Sequence, residues 1–230
     1  MYSAIIIEFR KHNALQYVLN NFLKNLSNEW NIIIFHGNKN QEFVHDIVNN
    51  SLSQYQSRIT IIHLPYDNIP PEEYSQLLMN KDTSIIYDKI PTEMFLIFQT
   101  DSVIIEKNKD FINEFLNYDY VGAPWDNNWV CDMDNVGNGG LSLRRKSKMI
   151  EIIEKEDEYM RRFPEDVFFA RSRKTHLNKP DPYTASRFSI ESWLGCGVSF
   201  GCHKPWCWLQ DYCNEHPEIV QLQALQNWID

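Results

Sequence analysis

Four short apolar runs, "AIIIEFR", "NIIIFHG", "RITIIHL" and "EMFLIFQTDSVII", limit most strongly how this chain can fold. Each is too short for a buried helix and too continuously apolar for a strand with one wet face, so each reads as a strand covered on both sides. Between them lie stretches with helical spacing. "HNALQYVLNNFLKNL" sets Leu15, Val18, Leu19, Phe22, Leu23 and Leu26 on one stripe, with Asn13 as the expected N-cap. "QEFVHDIVNNSL" turns Phe43, Val44, Ile47 and Val48 inward, and "PPEEYSQLLMN" begins with proline and two acids, as a helix's first turn does. Strands alternating with helices of this length specify βαβ units. The expected class is therefore α/β, Rossmann-like, with a mostly parallel central sheet and helices on both faces.

In such a sheet, ligands gather beyond the carboxyl ends of the strands. Glu8 and Arg10 end the first run; Gln99, Thr100 and Asp101 fall inside the fourth, which is expected to pass through them as one strand. Burying an ionised carboxylate alone costs several kcal/mol, so Asp101 needs a cation or an opening to solvent. A divalent cation and the cap of a turn explain it about equally well.

The second half is less regular. "KDFINEFLNY" reads as a short helix, "DYVGAPWDNNW" as a loop, and "VGNGGLSLRR" as a glycine-rich turn feeding a strand. "SKMIEIIEKEDEYMRR" reads as a helix capped by Ser147, and "FPEDVFFARSR" as another with Pro164, Glu165 and Asp166 in its first turn. "RFSIESW" and "VSFGCHKPW" suggest strand and turn, and "PWCWLQDYC" and "IVQLQALQNWI" closing helices. No repeat or linker divides the sequence, so a single domain over residues 1–230 is expected.

The glycines at 137, 139 and 140 fit a tight turn better than a nucleotide fingerprint, because the spacing matches neither a Walker loop nor a dinucleotide motif. The acids of "PED" are explained by the helix dipole, but the same placement would keep a carboxylate ionised at the sheet's rim, able to take a proton from a hydroxyl. Trp125 is equally a sugar-stacking platform or a hydrophobic anchor. His203 stands among Cys196, Cys202, Cys207 and Cys213, whose spacings lack the paired short knuckles of structural zinc sites.

A formal net charge of −9 over 230 residues argues against nucleic acid or an anionic membrane as the partner. The start, "MYSAIIIEFRKHN", has no basic region before its apolar run, unlike a secretory signal, and no run has the length of a transmembrane segment. With five cysteines, an odd number, reduced thiols and a cytoplasmic location are expected.

The order of the motifs adds what no single one supplies. A strand ending in QTD, then GAPW, NGG, PED and a histidine resembles the GT-A fold of nucleotide-sugar glycosyltransferases. More closely, "FLIFQTDS", "YDYVGAPW", "VGNGGLSLR", "PEDVFF" and "FGCHKPW" look like a domain-of-unknown-function family assigned to glycosyltransferases on such motifs. The resemblance implies a nucleotide-binding half of about residues 1–105 and an acceptor-binding half of about 106–230. It implies a metal-dependent enzyme, by similarity a hexosyltransferase, that moves a sugar from a UDP-sugar to a glycan, protein or lipid acceptor, with inversion favoured over retention.

By similarity, Gln99 and Thr100 meet the ribose, Asp101 and His203 hold Mn²⁺ (or Mg²⁺), and Asn138, Gly139 and Gly140 flank the sugar. Asp166 would be the catalytic base and Glu165 would hold sugar or acceptor, with Trp125 beside the acceptor. Glu8 and Arg10 would meet the nucleotide, and Arg144 or Lys204 would offset phosphate charge. Gln99 departs from the acidic residue usual at its position. A nucleotidyltransferase shares the sheet but carries an early glycine-rich loop that "EFRKHNALQ" lacks; a non-catalytic nucleotide- or sugar-binding module is the other alternative.

Overall fold

A computed structural model of the chain describes residues 1–125 and 135–226. The rest of the GAPW loop, the fifth cysteine, Cys131, and the end of the last expected helix lie outside the described residues. The chain begins with β1 (Tyr2–Glu8), α1 (Leu15–Asn25), β2 (Trp30–His36), α2 (Gln41–Asp46), β3 (Ile59–His63), α3 (Pro71–Leu78) and β4 (Met94–Phe98). There follow β5 (Ser102–Ile104), β6 (Tyr120–Gly122), β7 (Leu141–Arg145), α4 (Lys146–Lys155), α5 (Glu165–Ala170) and α6 (Pro182–Ser186). Strands β8 (Ser189–Ile190) and β9 (Gly201–His203) and helices α7 (Gln210–Asn214) and α8 (Pro217–Ala224) complete it.

The central sheet has the order β3-β2-β1-β4-β7-β6, and a small second sheet the order β5-β9-β8. β1 to β4 are parallel, and β7 runs antiparallel between β4 and β6, so the sheet is mostly parallel. Alternate residues divide between its faces. Ala4, Ile6, Ile32, Ile34, Leu96 and Phe98 pack with α1 on one face. Ile5, Ile7, Ile33, Phe35, Phe95 and Ile97 pack on the other, with apolar residues of α3, α4 and α5. Both faces being covered is why the strands read as unbroken apolar runs. Phe22 of α1 stacks on Phe98 with ring centroids 3.9 Å apart, fastening the first helix to the end of β4.

The fourth apolar run is two strands, not one. β7 reaches its first residue, Leu141, opposite Phe98, so beyond that point β4 has no ladder on that side. A strand continuing there would bury unpaired backbone groups, so the chain turns at Gln99–Asp101. Ser102 closes the turn: its N–H donates to Gln99 O at 3.0 Å and its hydroxyl to Gly140 O at 2.8 Å. β5 then pairs antiparallel with β9. On its far side, the Asn21 side chain of α1 accepts from Ile104 N and donates to Ile104 O.

Other expectations also need correction. The N-cap position of α1 is held by Ala14 rather than Asn13, and His12 Nδ1 accepts the Ala14 N–H at 3.1 Å. The second helix changes at Ile47 into a short π-helical segment. "KDFINEFLNY" is a 3-10 helix within Glu106–Glu114, and "YVG" is the short strand β6 rather than loop. Ser147 lies inside the first turn of α4, its hydroxyl donating to Glu93. That helix stops at Lys155, and the buried Glu156 beside its end accepts the Lys174 N–H at 2.9 Å and the Ser172 hydroxyl at 2.7 Å. α6 was not anticipated. Cys196, Cys202, Cys207 and Cys213 are free thiols. No helix among the described residues is long and apolar enough to cross a membrane.

Candidate active site

A cavity of about 720 Å³ opens beyond the carboxyl ends of β1 and β4. That volume is in the range of small-molecule and cofactor sites. Glu8 and Arg10 line it from the end of β1, Gln99, Thr100 and Asp101 from the turn after β4, and Asn138, Gly139 and Gly140 from the loop before β7. Glu165 and Asp166 reach it from the start of α5 and His203 from the end of β9. Trp125 does not line it. The Trp125 ring packs against the second core beneath the Arg171 guanidinium, 5.3 Å from the ring centroid, the position of an anchor.

The β5–β9 ladder sets Ser102 opposite His203 and thereby brings Asp101 to the imidazole. Lys204, at φ 48°, donates its N–H to Asp101 O at 2.9 Å and tightens the junction. His203 Nε2 stands 3.2 Å from Asp101 Oδ1, while Nδ1 stands 3.0 Å from Glu191 Oε1. Glu191 Oε2 in turn accepts from Asn138 Nδ2 at 2.7 Å, and Asn138 Oδ1 accepts from Gly140 N at 3.0 Å. Sequence reasoning passed over Glu191. The strand before it, Ser189–Ile190, is too short to mark it in the sequence. Burial pushes Asp101 up, but His203 and Lys204 outweigh that and hold it below the usual carboxylate range. For His203, burial pushes down, whereas Asp101 and Glu191 raise it to about 10.

This pair fits a divalent cation. Asp101 Oδ1 is buried and receives no aligned hydrogen bond, despite the neighbouring imidazole nitrogen. Adjacent donors on a six-coordinate ion with bonds of about 2.1 Å stand roughly 3 Å apart. Glu191 behind Nδ1 is the carboxylate partner that orients a ligating histidine. Among the described residues no group of three His, Cys, Asp or Glu side chains is arranged as a cation cage, so the remaining donors would come from the ligand and water.

The glycines are needed for close approach rather than for an unusual backbone. A Cβ on Gly140 would lie 2.3 Å from the His203 ring, and one on Gly139 2.4 Å from Glu165 Oε1. Neither residue has positive φ, so the expected tight-turn reading gives way to contact with the site.

Glu165 and Asp166 are adjacent but differently placed. Arg144, completely buried, donates to both Glu165 oxygens, at 2.5 and 3.0 Å, so it is spent beneath the floor and does not face a phosphate. Asp166 faces the cavity; Oδ1 accepts from Val167 N at 2.8 Å and Oδ2 from Gly139 N at 3.2 Å. Burial and the neighbouring Glu165 charge raise it to about 6, against the backbone donors and Arg144. The rim carboxylate expected to be ionised is instead half-buried, with its pKa raised to about 6. At the other wall, Glu8 clamps Arg10, accepting at 2.8 Å from both Nε and Nη2, and receives the Thr100 hydroxyl at 3.4 Å. The Asn40 side chain fixes this bend by donating to Glu8 O and Arg10 O.

The model of the family described as "Protein of unknown function (DUF5672)" matches residues 58–203, a span that includes the QTD, NGG and PED segments and His203. No curated protein sequence matches the chain. Several solved structures resemble this fold. An active-site mutant of LgtC is 12% identical, with 99% of this chain and 97% of that one covered and a TM-score of 0.56. The mannosyltransferase PcManGT from Pyrobaculum calidifontis, in complex with GDP-Man and Mn²⁺, is 10% identical over 89% of this chain and 54% of its own, TM-score 0.47. HddC from Yersinia pseudotuberculosis, complexed with GMP-PN, is 15% identical over 77% and 88%, TM-score 0.47. The fold is thus GT-A-like, a mixed α/β sheet with its cavity at the strand ends.

Proposed function

The chain belongs to that family of unknown function, and on this premise we propose that it is a metal-dependent glycosyltransferase, moving a sugar from a UDP-sugar to an acceptor hydroxyl with inversion. The observation that carries this reading is one cavity with a buried Asp101 oxygen 3.2 Å from a carboxylate-oriented His203 on one wall and Asp166, raised to about 6, on another. Four acids, Glu8, Asp101, Glu165 and Asp166, line it. The two nearby guanidiniums are each held by a glutamate. A diphosphate would therefore find little positive charge from side chains.

Asp101 and His203 would hold Mn²⁺, since an imidazole suits it better than Mg²⁺; once bound it supplies Lewis-acid stabilisation of the leaving diphosphate. Glu191 and Asn138 keep His203 in one orientation. The clamped Glu8–Arg10 pair and the turn at Gln99 and Thr100 receive the nucleoside, and Gly139 and Gly140 let the sugar approach the loop backbone. Asp166 accepts the proton of the attacking hydroxyl from the face opposite the leaving group, which inverts the anomeric carbon. Glu165 acts by position, neutralising Arg144 under the floor and raising Asp166. The acceptor is a glycan, protein or lipid hydroxyl.

The test is incubation with a panel of UDP-sugars and Mn²⁺, following UDP release and the anomeric configuration of the product. Slow release of UDP with inverted sugar supports the reading. Retained configuration contradicts the role of Asp166, and consumption of a nucleoside triphosphate and sugar phosphate in its place makes the protein a nucleotidyltransferase.

A further inference from the structure

Helix α3 brings to the cavity a group that no role above uses. Tyr74 lines the cavity, yet its hydroxyl oxygen is shielded from solvent and makes no aligned hydrogen bond. Tyr87 donates to Leu78 O at 2.9 Å and Tyr120 to Gly137 O at 2.7 Å, and the Tyr212 hydroxyl, also unpaired, lies away from the cavity. An unpaired buried hydroxyl is destabilising, so one that faces a ligand cavity is an arrangement a ligand completes.

Its surroundings say what kind of ligand atom fits. Burial and the nearby Glu165 charge keep the phenol protonated, so it offers an O–H. Gln99 lines the same cavity, and no hydrogen bond from it or from any other described residue occupies the phenolic hydrogen. The next residue, Ser75, accepts the Glu165 N–H at 3.3 Å, tying this wall to the start of α5, where Asp166 faces the cavity. Glu165 and Glu8 already hold the two nearby guanidiniums, which leaves little positive charge for a phosphate oxygen there; a neutral sugar hydroxyl needs none.

We propose that the Tyr74 hydroxyl donates a hydrogen bond to a hydroxyl oxygen of the transferred sugar, and that with Gln99 it selects donors carrying a hydroxyl at that position. This rests on the transferase reading. The test is calorimetric titration of wild type and Tyr74→Phe with UDP, UDP-glucose, UDP-galactose and UDP-N-acetylglucosamine, all with Mn²⁺, beside thermal melting without ligand. The variant should keep wild-type affinity for UDP, lose roughly tenfold for the nucleotide sugar that wild type binds best, and melt no lower than wild type. Equal loss for UDP and the sugar nucleotide, no loss for either, or a lower melting temperature of the free variant would overturn the proposal. Failure of wild type to bind any of the four would bring down the transferase reading, and this proposal with it; an indifferent variant of a binding wild type brings down the proposal alone.

Discussion

Between Tyr2 and Phe98 the strands run five to seven residues and pair in parallel with one another, whereas between Ser102 and His203 they run two to five and pair mostly antiparallel. The first region is held by apolar side chains on both faces of a sheet. The second brings Glu165, Asp166 and His203 to the cavity, with Glu191 behind the imidazole, and holds them through charge and hydrogen bonds. Stability and chemistry are thus concentrated in different parts of one molecule, and substitutions in the two parts should fail in different ways.

The largest separation is expected at Asp166. Asp166→Asn should lower kcat about 10²- to 10⁴-fold, the usual contribution of a positioned base, while leaving UDP affinity intact; a variant with full turnover breaks the assignment. The opposite behaviour belongs to Phe98→Ala. Removing a buried ring stacked on Phe22 should cost about 3–5 kcal/mol in denaturant unfolding. A loss under about 1 kcal/mol would show that the end of β4 is not the apolar pillar described.

Glu191→Ala sharpens the contrast further. Deleting the partner of His203 Nδ1 should weaken Mn²⁺ affinity about 10- to 100-fold, read by titrating the metal in the presence of UDP. An unchanged affinity would remove Glu191 from the site. The remaining effect is a gain. Because burial raises Asp166 to about 6 from 3.8, its contribution to stability is fully present below about pH 3.8 and is lost as pH rises through about 6. Asp166→Asn should therefore be more stable than wild type above pH 6, by about 3 kcal/mol at pH 8, with the difference vanishing near pH 4. The same titration makes turnover rise with pH through about 6. A stability difference independent of pH would contradict the burial of that carboxylate.

The comparison also explains what could be read from residues alone. Runs such as "AIIIEFR" and "NIIIFHG" carry a local signature, because every residue of a doubly covered strand is apolar, and the first four strands and three helices followed from it. The turn at Gln99–Asp101 did not, since it depends on where β7 starts, some forty residues later. β6 and β8, at three and two residues, are too short for any periodicity to show. Motif order brought Asp101, Asn138, Gly139, Gly140, Glu165, Asp166 and His203 onto one list, and they line one cavity. For Trp125 no pattern separates an anchor from a platform, and both readings stood open in the sequence. Glu191 and Tyr74 sit in ordinary strand and helix contexts and gain meaning only from neighbours distant in sequence.

The central claim is that Asp101 and His203 make this cavity a metal-dependent nucleotide site. Calorimetric titration of the purified protein with UDP, with Mn²⁺ and with chelator, in wild type and Asp101→Asn, tests it most directly. Micromolar binding that requires Mn²⁺ and is lost in the variant is the predicted result. Equal UDP binding with and without metal, or an Asp101→Asn protein that binds as wild type does, would contradict it and return Asp101 to the part of a turn residue.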